Sequence, residues 1–134
     1  MLIPSPLVAL PAIAVRIVGY SLAGLGLRRA GVIGFSIPAF TAKRVVAGLV
    51  AGVVYWGFVF ALTPASFHGT PAYVGLALPR ALVWFALVWP YLSAQQREGL
   101  AWTVPLLGTL LSYTLDFVTS GLVHVLPGMT MPWC

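Results

Sequence analysis

The stretch VVAGLVAGVVYWGFVFAL, residues 45–62, decides the class of this protein because it is apolar throughout and carries no charged side chain. A helix needs about 20 residues to cross the roughly 30 Å of hydrocarbon in a bilayer, and a continuous apolar run of this kind is typical of such a helix. Gly48 and Gly52 are one turn apart and form a small-residue face that lets another helix approach closely. We expect this face to pack against a helix of the same chain, the alternative being a second copy of itself.

The composition of the whole chain also indicates a membrane protein. Of its 134 residues, 60% are hydrophobic and 7% are charged, and the mean hydropathy is +1.01. Soluble domains typically have about 25% charged residues, which they need for a polar surface. In a bilayer the outer surface is apolar, and the backbone must be satisfied within helices or a closed barrel. The apolar runs are continuous rather than alternating, which favours helices.

We predict one all-α domain in which four transmembrane helices form a small bundle. The predicted spans are residues 7–27, 45–62, 72–94 and 100–126. No basic segment precedes the first apolar run, so we expect it to be a span of the mature protein rather than a signal peptide. The single cysteine, Cys134, excludes an intrachain disulfide.

Residues 28–44, between the first two predicted spans, have an unusual composition. Basic pairs, Arg28 with Arg29 and Lys43 with Arg44, enclose an apolar middle that glycine and proline interrupt. The middle is too short to cross a bilayer. We therefore predict an interfacial or re-entrant segment at the lipid headgroups, with two phenylalanines, at positions 35 and 40, directed inward. The alternative is an ordinary loop that is apolar.

The distribution of Lys and Arg predicts the orientation in the membrane. Four basic residues lie between the first two spans and Arg97 lies between the last two, whereas residues 63–71 and both ends of the chain have none. Cytoplasmic loops are enriched in Lys and Arg. We therefore predict an integral plasma-membrane or inner-membrane protein with both termini outside the cytoplasm. The net charge of +5 does not indicate nucleic-acid binding, because the charges form no basic face.

Three of the predicted spans carry a charged residue near the middle: Arg16, Arg80 and Asp116. Moving a charge to the bilayer centre costs roughly 2.5–3.5 kcal/mol on insertion scales, so such residues need partners. Each lies about 12–15 Å below the predicted outer boundary at 1.5 Å per residue. We therefore predict a polar centre in which Asp116 forms a salt bridge with Arg16 or Arg80.

Further polar residues share the Asp116 face of the fourth span at helical spacings of three and four, and a stripe of this kind must face protein or water. The candidate residues of the polar centre are Arg16, Arg80, Asp116, Ser112, Tyr113 and Ser120.

In the third span, Pro79 immediately precedes Arg80. Proline has no N–H and clashes with the carbonyl of Gly75, so we expect a kink at this depth and a freed carbonyl near the centre. Trp84, one turn later, is placed to stack on Arg80.

Evidence for a cofactor or an enzyme activity is weak. His68 in the outer loop and His124 near the outer end of the fourth span are the candidates for a haem or metal site. Neither belongs to a His-x-x-x-His motif, and Asp116 is about 12 Å from His124 along the helix. We expect no cofactor and no metal. Known catalytic motifs are absent from the sequence, and its two acidic residues leave little for acid–base catalysis.

The sequence therefore favours an accessory or structural subunit of a membrane complex, or a homo-oligomer, with the lipid bilayer and other membrane subunits or copies of itself as partners. One alternative is a small carrier or channel for an anionic solute or protons, in which Arg16 and Arg80 attract the anion and Asp116 balances them. Another is a haem- or quinone-binding redox protein that uses His68 and His124.

Overall fold

A computed structural model of the chain describes residues 6–32 and 34–125, with side chains described for residues 10–32 and 34–121. All regular secondary structure in the described part is helical, which confirms the all-α prediction there. Its α-helices are α1 (Pro6–Arg29), α2 (Ile37–Leu62), α3 (Thr70–Gly75), α4 (Ala77–Val88) and α5 (Ala94–Val125). Short 3-10 turns at Ala65–Phe67 and Trp89–Tyr91 precede α3 and follow α4.

The longer helices form a four-membered ring. Helix α1 packs against α2 and α5, and α4 packs against the same two helices from the opposite side. Ring order is therefore α1, α2, α4, α5, and each of these helices presents one face to a common interior. The short helix α3 extends α4 toward the loop that follows α2.

Within the described residues, three segments are long and apolar enough to cross a membrane: Leu10–Arg29, Ile37–Leu62 and Thr70–Tyr91. Their outward side chains include many large apolar groups, such as Val53, which is 63% exposed. Lipid favours a surface of this kind. Helix α5 is long enough as well, at about 48 Å for its length. Its described part is not among the three, because Ser, Thr and Asp116 lower its hydropathy, and its crossing stays a prediction.

The predicted interfacial or re-entrant segment is wrong for residues 37–44, which form the first two turns of α2. Ser36 caps this helix, since its side chain accepts a hydrogen bond from the backbone N–H of Ala39 at 3.3 Å. Pro38 lies in the first turn of the helix. Backbone N–H groups in that turn have no intrahelical acceptor, so proline breaks no hydrogen bond there. The proline interpreted as an interruption is therefore a helix-start signal. Phe35 and Phe40 are buried in the core of the bundle.

A capping box formed by Ser93 and Gln96 marks the start of α5. Ser93 Oγ accepts a hydrogen bond from the N–H of Gln96 at 3.3 Å, and Gln96 Oε1 accepts one from the N–H of Ser93 at 3.0 Å. This reciprocal capping box starts the helix six residues before the predicted span at residue 100. Gln96 also donates to the carbonyl of Gly31 at 3.0 Å, which joins the two loops on this side of the bundle.

The helix between residues 70 and 88 is interrupted at Leu76, in the turn before Pro79, where the sequence predicted a kink. Backbone carbonyls near the end of α3 accept hydrogen bonds from tyrosine hydroxyls on neighbouring helices. Tyr55 donates to the carbonyl of Ala72 at 2.6 Å, and Tyr113 donates to that of Tyr73 at 2.8 Å. The interruption therefore has hydrogen-bond partners within the bundle, as a buried helix end requires.

Candidate functional site

Asp116 on α5 lies at the centre of the bundle and accepts hydrogen bonds from two arginines and a tyrosine. Arg16 on α1 donates from Nη2 to Oδ1 at 2.8 Å, and Arg80 on α4 donates from Nη2 to Oδ2. Tyr73 on α3 donates its hydroxyl to Oδ2 at 3.0 Å. The salt-bridge prediction is confirmed, and the carboxylate pairs with both arginines rather than with one.

Burial makes these ion pairs consequential for the fold. Asp116 and Arg80 are each 8% exposed, and the Arg16 side chain is 14% exposed. In such an interior two positive charges and one negative charge attract more strongly than at a surface, but each has also lost its hydration. Removing one member would leave another charge buried without its partner, so we expect the loss of any one of them to destabilise the packing of α1, α4 and α5.

Arg44 is a buried residue of the centre that the sequence analysis missed. It was counted among the basic residues of the first loop, but it lies two turns into α2 and is 2% exposed. Its Nη2 donates to Ser112 Oγ at 2.9 Å. The available signal was the capping pattern of Ser36 and Pro38, which starts the helix early enough to bring Arg44 into the bundle. With Arg44, every helix of the ring contributes a charged side chain to the interior.

Two aromatic rings flank the Arg44 guanidinium. Its Cζ lies 4.8 Å from the ring centroid of Tyr20 on α1 and 4.9 Å from that of Trp84 on α4. A cation–π contact of this kind contributes up to about 2 kcal/mol where water is excluded. The expected stacking of Trp84 on Arg80 is wrong, because Arg80 is drawn toward Asp116. Arg80 lies instead over the ring of Tyr113, at 4.4 Å.

Ser112 is the acceptor for Arg44, as Asp116 is for Arg16 and Arg80. Its hydroxyl accepts hydrogen bonds from Arg44 at 2.9 Å and from Trp84 Nε1 at 3.2 Å, and it donates to the carbonyl of Gly108 at 2.8 Å. These three bonds use the full capacity of a hydroxyl group. Asp116 is one turn further along α5, so the two acceptors are about 6 Å apart along the helix axis.

The remaining predicted residues lie on the same helix. Tyr113 contributes its ring to Arg80 and its hydroxyl to the end of α3. Ser120 is half-buried one turn beyond Asp116. The structure thus brings Arg16, Arg80, Ser112 and Tyr113 around Asp116, and a binding role for any of them stays a prediction.

Glycines make room for the two largest groups of the centre. A Cβ at Gly48 would lie 2.6 Å from Nη1 of Arg44, and a Cβ at Gly108 would overlap the indole of Trp84. Gly48 and Gly52 also line an internal cavity rather than forming a bare helix contact. The small-residue face predicted on α2 therefore points inward, where it accommodates the polar centre.

That cavity lies between the four helices of the ring. Its volume is about 30 Å³. Its polar lining residues are Arg16, Tyr20, Arg44, Arg80 and Asp116, and the rest of its wall is glycine or apolar side chains. A cavity of this volume with several polar groups in its wall has room for ordered water or for a small ion.

The two histidines are not brought together by any described contact. His68, in the loop between α2 and α3, packs edge-on against Phe60 with centroids 4.9 Å apart. The side chain of His124 lies outside the described residues. Within residues 10–32 and 34–121, the structure has no group of three His, Cys, Asp or Glu side chains that could hold a metal ion.

Comparisons of the chain with protein-family models, curated proteins and solved structures gave no match. Evidence for a function therefore comes from the buried Arg/Asp centre.

Proposed function

We propose that this protein is a four-span integral membrane protein that serves as a structural subunit, associated with other membrane subunits or with copies of itself. One observation carries the proposal: a polar network of two hydrogen-bonded clusters, Asp116 with Arg16 and Arg80 and Ser112 with Arg44, joins α5 to α1, α4 and α2. Such a network fixes the order and register of helices in lipid, where hydrophobic burial alone does not distinguish one packing from another.

The occupancy of the acceptors supports a structural role over transport. Each oxygen of Asp116 already accepts from an arginine, and Ser112 is fully bonded. A carrier needs its binding groups open to water from each side in turn. The central cavity of about 30 Å³ offers space for little more than water or one small ion.

The partners follow from the shape of the molecule. The connections between helices are short, so little of the described part of the chain lies outside the bundle. Its outward side chains are largely apolar, including Phe58 and Leu78, which are 61% and 68% exposed. A protein with this surface meets lipid and the helices of other membrane proteins, and those are the partners we propose.

We expect both termini to lie outside the cytoplasm. In a Cys134→Ser background, Ser66→Cys in the loop after α2 should react with an impermeant thiol reagent added to intact cells. Gln95→Cys, at the start of α5, should react only after permeabilisation. Both positions are exposed. The reverse labelling pattern would show that the orientation is inverted.

The structural role predicts an assembly. We expect the protein in mild detergent to have a native mass above that of a 14.3 kDa chain with its detergent, or to retain a second membrane protein. Arg16→Gln and Arg80→Gln should lower thermal stability or release the partner.

The second candidate function is a carrier, which the arginine-lined cavity favours. It would be established if the protein is monomeric, has no partner and gives saturable, Arg-dependent anion flux in vesicles. A haem absorbance band in purified protein would establish the redox alternative.

A further inference from the structure

The polar centre has more positive than negative charge. Arg16, Arg44 and Arg80 contribute three guanidinium groups, and Asp116 contributes one carboxylate. The formal charge of this group of four residues is therefore +2. The chain's other acidic residue, Glu98, is exposed near the start of α5 and forms no salt bridge with any of them. A positive excess in a low-dielectric interior is costly unless a counter-charge is present.

Among the described residues, Arg44 forms no salt bridge with a carboxylate. Its hydrogen-bond and ring contacts there are the neutral hydroxyl of Ser112 and the rings of Tyr20 and Trp84. Its Nε is buried and has no hydrogen-bond partner there. Buried guanidinium groups normally use most of their N–H donors and are paired with an anion.

The cavity lies directly beside this unbalanced charge. Nη1 of Arg44 lies against Gly48, and Gly48 lines the cavity together with Arg16, Arg44 and Arg80. Asp116 also lines it, but both carboxylate oxygens already accept hydrogen bonds from cationic or hydroxyl donors. The net charge of the residues around the cavity is therefore positive. The cavity volume of about 30 Å³ suits an ion that is a few ångströms in diameter.

We propose that the cavity binds one small monovalent anion, of the size of chloride, as the counter-ion of Arg44. A single negative charge pairs with the one guanidinium that has no carboxylate and lowers the formal charge of the four residues from +2 to +1. A multivalent anion would lose far more hydration on entering the same space, because desolvation cost rises steeply with charge. The bound ion is a fixed structural counter-ion, and the proposal does not depend on the oligomeric state or on partner subunits.

The test uses the full chain purified in a mild detergent without chloride, in sodium gluconate. Sodium chloride then replaces gluconate at constant ionic strength, and both the melting temperature and the ³⁵Cl NMR line width are recorded. Binding to the folded state alone should raise the melting temperature with chloride concentration. The line width should show a saturable excess broadening from exchange with the bound ion.

Three variants identify the site. Arg44→Gln keeps a hydrogen-bond donor for Ser112 but removes the charge, so the excess broadening and the chloride dependence should disappear. Relative to the wild type, this variant should be less destabilised in gluconate than in chloride, because without the ion the wild type buries an unbalanced charge. Gly48→Ala should displace Nη1 and weaken apparent chloride affinity by about ten- to a hundredfold, the loss expected for a charged hydrogen bond. Gly57→Ala, on the same helix with open space around it, should bind as the wild type does.

Three outcomes would overturn the proposal. Equal melting temperatures in chloride and gluconate, without excess broadening, would leave water alone in the cavity. Unchanged chloride binding by Arg44→Gln would place the ion elsewhere. A phospholipid retained after extensive detergent washing, measured as phosphorus and lost in Arg44→Gln, would show that a lipid phosphate supplies the counter-charge.

Discussion

Asp116→Ala is expected to lower the free energy of unfolding by about 3–5 kcal/mol, because it leaves Arg16 and Arg80 buried without their counter-charge. It also removes the acceptor of the Tyr73 hydroxyl. The measurement is thermal or denaturant unfolding of the purified chain in one detergent. The matched control is Glu98→Ala, which removes the other acidic residue of the chain, also on α5 but exposed, and should change stability by no more than about 0.5 kcal/mol.

A coupled background separates ion pairing from loss of side-chain volume. In an Arg16→Gln/Arg80→Gln protein, Asp116→Asn should cost less than it does in the wild type, because the carboxylate no longer has cationic partners. If Asp116→Ala has the stability of the wild type, water reaches the centre. The structural role would then be wrong and the carrier would become the better explanation.

Trp84→Ala is expected to lower the free energy of unfolding by about 3–5 kcal/mol, as is typical when a fully buried tryptophan is truncated. Its side chain is 1% exposed and packs between Tyr20 and Phe40, with ring centroids 5.8 and 5.9 Å away. The substitution also deletes the N–H donated to Ser112 and one of the two rings that flank Arg44. The same unfolding measurement applies.

The control for this substitution is Trp102→Ala, since Trp102 is 83% exposed and lies on the outer surface of α5. We expect it to have little effect on the unfolding of the bundle in detergent. Trp84→Phe should lie between Trp84→Ala and the wild type, because it keeps an aromatic face for Arg44 and loses the hydrogen bond. Equal losses for the two alanine variants would mean that Trp84 does not anchor the core.

The pairing of the charged residues near mid-span could be predicted, because the position of a residue within a span gives its depth in a bilayer of known thickness. Arg16, Arg80 and Asp116 each lie about halfway along a long apolar run, so their burial and their mutual pairing follow from residue counting. The helix interruption before Pro79 was predictable for a similarly local reason, since proline disrupts a ladder in any context.

Arg44 could not be placed by the same reasoning, because hydropathy treats a basic pair beside an apolar run as a loop. Lys43 and Arg44 are adjacent, yet Lys43 is exposed whereas Arg44 is buried. Successive residues on a helix point about 100° apart, so once the helix starts at Ile37 the two side chains must face different surroundings. Because the predicted start of α2, at residue 45, was too late, Arg44 was omitted from the predicted polar centre.

The sequence by itself determined that the chain is helical and apolar, that it carries charges where lipid would not tolerate them alone, and where the third helix breaks. These properties depend on local residue order and on the thickness of the bilayer. Only the tertiary structure decided which ring meets which guanidinium, that Asp116 serves two arginines, and that Arg44 lies beside a cavity. Those contacts join residues up to 100 positions apart, such as Arg16 and Asp116. They depend on how four helices rotate about their axes to share one interior, which no local pattern specifies.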